Sequence, residues 1–310
     1  MKFWISALVV VAAAFGVALS PVNEYVFFAA FVVLTFVVLA TAWNILGGYA
    51  GYVNFGPPAF FGIGAYTAVV LFKWLGAPLA VQIAAAAAVS GLLGFGVGLL
   101  TLRLRGIFFA IATVAIIFIM ETVMMNWRYV GGATGLQLLR PDVLQPFASY
   151  TRMLFFVMAL LAVIAVSVAR YVQISWIGGG LRAIRDSEEA AECSGVPTLK
   201  LKLFACTVSG ALMGAAGAPM PMYLSFIEPA SSFSLNYSVS ALAMPMIGGT
   251  VHWLGPVLGA LLLGSIQQIV TVTISGEINV LVIGVLLVLF VVFAPDGVLG
   301  LFKKLWPRRS

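Results

Sequence analysis

The chain has 310 residues, 63% of them hydrophobic and only 8% charged, with a mean hydropathy of +1.13 and a formal net charge of +6. A soluble core-and-shell protein needs far more surface charge, so the composition excludes one and implies an integral membrane protein. Apolar runs of helix-spanning length without period-two alternation exclude a β-barrel, and the positive excess fits the lysine and arginine bias of cytoplasmic loops better than a nucleic-acid footprint.

The expected fold is all-α: one polytopic helical bundle over residues 1–310 with about ten spans, each near the ~20 apolar residues that cross a bilayer. Residues 3–19 read as a retained first span rather than a signal peptide ending near Ala18-Leu19-Ser20. Span two covers residues 26–46, and a glycine-rich bend (Gly47, Gly48, Gly51, Gly56) leads through Pro57 and Pro58 into span three, which ends near Phe72. Residues 79–102 and 106–125 form spans four and five around a tight turn with Arg103 and Arg105. Residues 126–152, with Gly131, Gly132, Gly135, Pro141 and Pro146, have turn chemistry and too little apolar continuity to cross. Span six is 153–169.

Residues 171–202 interrupt the apolar sequence with eight charges: Arg182, Arg185, Asp186, Glu188, Glu189, Glu192, Lys200 and Lys202. At roughly 3 kcal/mol each, their burial at the bilayer centre would cost about 24 kcal/mol, so the segment belongs in water. Asp186 three residues before Glu189 fits a capping box, Gly195 occupies a C-cap position and Pro197 follows. This predicts a short helix over about 187–194, or one starting as early as 181.

Span seven, 203–226, is broken by Pro219 and Pro221; residues 237–253 and 254–274 read as two spans or as a re-entrant pair, and 278–293 is the last. With both termini and the charged loop cytoplasmic, twelve basic residues lie inside: Lys2, Arg103, Arg105, Arg170, Arg182, Arg185, Lys200, Lys202, Lys303, Lys304, Arg308 and Arg309. Only four, Lys73, Arg128, Arg140 and Arg152, lie outside, which satisfies the positive-inside rule and favours two spans over one for 237–274.

Gly94-x-x-x-Gly98, Gly210-x-x-x-Gly214 and Gly255-x-x-x-Gly259 place small residues on one helix face for close packing. The stretch 47–67 has two readings, a cytoplasmic turn with tight packing or irregular backbone lining a path. Ionisable groups nearly vanish from the spans: Glu121 and Glu277 fall at interfaces, and His252 sits at a turn as a structural histidine. That emptiness disfavours a proton-driven pump. There is no phosphate-binding Gly-x-x-x-x-Gly-Lys-Ser/Thr loop, no His-Glu-x-x-His and no Gly-x-Ser-x-Gly, so no catalytic residues, metal or cofactor are expected and any ATP must be bound by another subunit. Cys193 and Cys206 read as free thiols.

The Glu189-Ala190-Ala191 stretch with Gly195 resembles the loop by which permease subunits of ABC importers engage their ATPase. The run of residues 47–56 (GGYAGYVNFG), followed by 59–67 (AFFGIGAYT), resembles the signature of Liv-type branched-chain amino-acid permeases. Residues 131–136 (GGATGL), 181–185 (LRAIR) and Gly248-Gly249 with 254–259 (LGPVLG) follow in the order of the M-type subunit, so the resemblance covers roughly residues 39–264. Two departures stand out: Pro57, where many members have His, and Thr134, where Asp or Asn is commoner.

The resemblance implies an inner-membrane importer permease for branched-chain amino acids, paired with a second permease, two cytoplasmic ATPase subunits and a periplasmic binding protein. It implies ATPase coupling through Arg182, Arg185, Asp186, Glu188, Glu189, Ala190, Ala191 and Gly195. Asn54, Thr67, Thr113 and Thr134 are candidates for the translocation path. Urea, amides or other amino acids are alternative cargoes. An ion-coupled secondary transporter is the rival of another class, to be separated by uptake with ATP in membranes whose ion gradients are collapsed.

Overall fold

The computed structural model describes residues 2–20, 23–104, 106–139, 147–273, 278–293 and 297–300. Arg105, Arg140, Pro141, Pro146, Glu277, Lys303, Lys304, Arg308 and Arg309, all used in the sequence reading, lie outside them.

Five long helices come first: α1 (Lys2–Leu19), α2 (Glu24–Ala50), α3 (Pro57–Leu75), α4 (Leu79–Thr101) and α5 (Ile107–Asn126). Two 3-10 turns, Arg128–Val130 and Gly132–Thr134, and the two-residue strand β1 (Leu136–Gln137) lead to α6 (Tyr150–Ile174). The charged elbow α7 (Trp176–Asp186) and α8 (Glu188–Cys193) precedes α9 (Thr198–Gly217), α10 (Met220–Leu224), strand β2 (Phe226–Ile227) and α11 (Pro229–Ser232). The described helices close with α12 (Leu235–Gly248), α13 (Leu254–Thr273) and α14 (Ile278–Phe293).

Among the described residues, seven helices are long and apolar enough to cross a membrane: α2 to α6, α9 continued through α10, and α13. The apolar part of α1, Phe3–Leu19, is shorter. The sequence gives 237–253 a full span, but α12 has 14 residues, ~21 Å at 1.5 Å per residue, against ~30 Å of hydrocarbon. Its first turn lies beside the middle of α2 and the second turn of α3, where the Tyr237 ring packs 6.1 Å from that of Phe36 and 4.7 Å from that of Phe61. It is preceded by α11 and by β2, which pairs antiparallel with β1 in the register Leu136↔Ile227.

The predicted bend at Gly47 and Gly48 is helical instead. α2 runs on to Ala50 because the Trp43 and Asn44 side chains fold back over the two glycines, and the break comes at Gly51, whose φ of 76° forms a left-handed cap. The doubled proline then starts α3, where missing N–H groups cost nothing.

The three glycine pairs lie where helices touch. α4 and α9 approach so closely that a Cβ on Gly94 would sit 2.8 Å from the Cys206 carbonyl, and one on Gly214 would collide with Ser90 Oγ. α3 meets α9 the same way, Gly64 against the Gly214 carbonyl, and α12 meets α13 at Gly248, Gly255 and Gly259. In a bilayer, such backbone proximity replaces the hydrophobic drive that lipid removes.

Helix ends sort into two groups. At one end, Arg152 pairs with Glu24 at 2.7 Å and donates to the Ser20 carbonyl at 3.0 Å, while Lys73 donates to the Tyr129 carbonyl at 2.9 Å. The opposite end holds α7 and α8, Arg170 stacked 3.9 Å from the Phe3 ring, and the turn after α12, whose Thr250 carbonyl accepts from Asn44. His252 caps α13, its Nδ1 accepting from the Leu254 N–H at 3.2 Å, which is the structural role expected of it.

Candidate functional site

The charged elbow is two helices, not one. Ser187, at φ −162°, breaks them, and its Oγ accepts from the Ala190 N–H at 3.3 Å. The N-cap is therefore Ser187 rather than Asp186, which ends α7; both positions carry cap-forming side chains, and only the backbone decides between them. α7 buries Gly178, Leu181 and Ile184 against the core and turns its charges outward. Gly195 adopts φ 81° with open space around its Cα, the predicted left-handed position after α8.

The predicted coupling residues divide by environment. Asp186, Glu189, Ala190 and Gly195 are exposed, whereas Ala191 is buried. Arg182 donates to the Gln173 carbonyl at 3.2 Å, and Arg185 reaches the Gly48 carbonyl at 3.3 Å while lying 3.7 Å from Asp186. These two arginines fasten the elbow to α6 and to the end of α2.

Glu188 and Lys202 overturn the expectation that all eight charges lie in water. Their side chains are 13% and 4% exposed and form an ion pair at 2.5 Å. Tyr52 donates to Glu188 Oε2 at 2.5 Å and accepts from Lys202 Nζ at 3.1 Å, and Lys202 also donates to the Leu102 carbonyl at 3.2 Å. Lys202 Nζ lies 4.9 Å from the centre of the Tyr52 ring. Shielded charges persist only when paired and hydrogen-bonded, and this pair is both. Sequence reading missed Tyr52 altogether; nothing but proximity in space links it to residues more than a hundred positions away.

Beside this cluster runs segment 51–56, which is neither helix nor strand. Asn54 is buried, with its Oδ1 accepting from the Gly56 N–H at 2.7 Å and its carbonyl from Trp43 Nε1 at 2.7 Å. The Phe55 N–H donates to Thr113 Oγ1 at 3.0 Å, and its carbonyl accepts from Ser238 Oγ at 2.5 Å. Of the two readings of this stretch, internal packing accounts for the polar groups of residues 54–56. The same segment also borders an open cleft of about 610 Å³ with Gly106, Ile107, Ala110, Ile111 and Val114 of the α5 side.

The four path candidates do not converge. Asn54 and Thr113 meet around Phe55 and Gly56, as anchors of the segment. Thr67 and Thr134 bond back to the Ile63 and Gly131 carbonyls, within their own turns. A larger cavity, about 980 Å³ between α1, α2, α6 and α13, is lined almost wholly by apolar side chains such as Val33, Ala159 and Val257 and offers no polar constellation. No group of three or more metal-ligating side chains occurs among the described residues.

Residues 25–291 match the family described as the permease component of branched-chain amino-acid transport systems. Two similar proteins are the high-affinity branched-chain amino-acid transport system permease proteins LivM of Salmonella typhimurium strain LT2 and of Escherichia coli strain K12. Each is 27% identical, with 97% of this chain covering 76% of the relative. The probable branched-chain amino-acid transport permease protein LivH of Methanocaldococcus jannaschii is 29% identical over 41% of this chain and 42% of its own length. No solved structure matches the chain significantly. A match over most of the chain, on a bundle of membrane-length helices, carries the conclusion: the chain belongs to the family of branched-chain amino-acid transport permease components.

Proposed function

We propose that this chain is a transmembrane subunit of an ABC importer that moves branched-chain amino acids inward across a bacterial-type inner membrane. The carrying observation is the elbow at α7 and α8, which presents Asp186, Glu189 and Ala190 to solvent at the end of the bundle where Arg170, Arg182, Arg185, Lys200 and Lys202 collect. An ATP-driven importer whose membrane chain has no phosphate-binding loop receives mechanical work from a partner, and a capped, charged, exposed helix pair is the feature suited to receive it. In this reading both termini and the elbow are cytoplasmic, the elbow docks on one of two ATPase subunits, a second permease completes the path and a periplasmic binding protein delivers cargo. The names of the relatives support branched-chain amino acids over urea or amides. Ten crossings, in this reading, comprise the seven long apolar helices with α1, α14 and the shorter α12 preceded by α11. The scarcity of ionisable groups in the spans disfavours the ion-coupled alternative.

The test is leucine uptake by the reconstituted importer. Glu189→Lys and Gly195→Glu are expected to insert normally yet lower uptake about tenfold or more, the size of an ordinary coupling energy between sites. Gly195→Val should in addition cost about 1 kcal/mol locally, because its backbone is left-handed even though its surroundings are open. Wild-type uptake by both charged variants would exclude docking at the elbow.

A further inference from the structure

The segment 51–56 is short, lies outside helix and strand, and is tied near its two ends to different helices. At its start, Gly51 abuts the Arg185 side chain so closely that a Cβ there would lie 2.8 Å from Arg185 Cγ, and the Tyr52 hydroxyl is held between Glu188 of α8 and Lys202 of α9. Three residues later, the Phe55 N–H is bound to Thr113 of α5 and the Phe55 carbonyl to Ser238 of α12. A further bond from Trp43 to the Asn54 carbonyl keeps the middle against α2.

We infer that segment 51–56 is the strap that transmits displacement of α8 to α5 and α12, with Tyr52 as its input and the Phe55 main chain as its output. This rests on the elbow being where the ATPase engages. Glu188 is mostly shielded from water and shares its carboxylate between Tyr52 and Lys202, so pulling α8 away from the strap would leave Oε2 without the hydrogen bond that Tyr52 gives it. Moving Tyr52 with α8 is the cheaper response. Backbone outside helix and strand has no regular hydrogen-bond ladder in which to absorb that motion, so it passes to whatever holds Phe55. α5 and the strap both line the 610 Å³ cleft, so a shift of either changes its shape. Lys202 also donates to the Leu102 carbonyl beyond α4, so the same joint bears on the end of that helix.

Tyr52→Phe removes the hydroxyl and leaves the ring, which packs edge-on at 5.2 Å against Phe109. In the importer reconstituted with its ATPase subunits and binding protein, this variant is expected to transport about tenfold less leucine per ATP hydrolysed, at unchanged folded yield. Amide exchange over residues 51–56 should respond to nucleotide in the wild type and not in Tyr52→Phe, a readout that a purely structural tie would not move. Tyr49→Phe, which removes a hydroxyl 3.4 Å from the Ala169 carbonyl, is the control and should change the ratio less than about twofold. Thr113→Val cuts the output bond and should reproduce the uncoupling, and it decides the matter if Tyr52→Phe does not fold. Wild-type stoichiometry in Tyr52→Phe and Thr113→Val, with Glu189→Lys uncoupled, overturns the strap and leaves docking intact. Wild-type stoichiometry in Glu189→Lys as well overturns docking itself.

Discussion

Replacing Lys202 by methionine is expected to destabilise the protein by about 3–5 kcal/mol, the usual cost of leaving one member of a buried ion pair without its partner. The side chain is 4% exposed and makes three hydrogen bonds, to Glu188, Tyr52 and the Leu102 carbonyl. Methionine fills a similar volume, so the loss is one of charge compensation rather than packing. The remedy distinguishes the two causes. Adding Glu188→Gln to Lys202→Met removes the stranded carboxylate and should recover most of the stability, whereas a packing defect would persist. Thermal unfolding in detergent, followed by size-exclusion chromatography, reads both variants; a single variant as stable as wild type would show that the pair is solvated.

Gly64→Val is expected to be among the most damaging of the glycine substitutions. Gly64 faces the Gly214 carbonyl across the α3 and α9 contact, and Gly217 faces the Phe61 carbonyl a turn away, so the two helices meet backbone to backbone twice. A single Cβ forces them apart, and the β-branch adds atoms where neither side can yield, since the obstruction is main chain rather than a movable side chain. Overpacking of this kind costs about 3 kcal/mol or more, a change on the order of a hundredfold in the folded fraction. Because α9 also touches α4 through Gly94 and Gly214, separation of α3 from α9 propagates to a third helix. Gly96→Val is the comparison, with nothing within 4 Å of its added carbon; it should leave the folded yield within about twofold. Equal yields of the two variants would disprove the packing argument.

The helices were legible because their apolar runs are long, and the end of α8 because Gly195, read as its cap, takes positive φ. The glycine pairs were legible for the same reason: spacing of four puts small residues on one face whatever the partner. Two local choices were not. The Asp186-x-x-Glu189 pattern pointed to Asp186 as the cap while Ser187 beside it does the capping, and Gly47-Gly48 looked like a bend although Trp43 and Asn44 stabilise helix there. The polar cluster was invisible because Tyr52, Glu188 and Lys202 come from three separate elements, and charge in a sequence carries no mark of whether a partner shields it. The path candidates lie apart except for Asn54 and Thr113, and a helical threonine can satisfy itself on the preceding turn, as Thr67 does on Ile63.

Three of the bonds that hold segment 51–56 end on its main chain, at the Asn54 carbonyl and at both polar groups of Phe55. Those attachments do not depend on which side chains residues 53 and 55 carry. Val53 and Phe55 both border the open cleft, so its lining can be exchanged one residue at a time while its frame stays fixed. Variation at positions 53 and 55 can therefore reshape this cleft without a new fold.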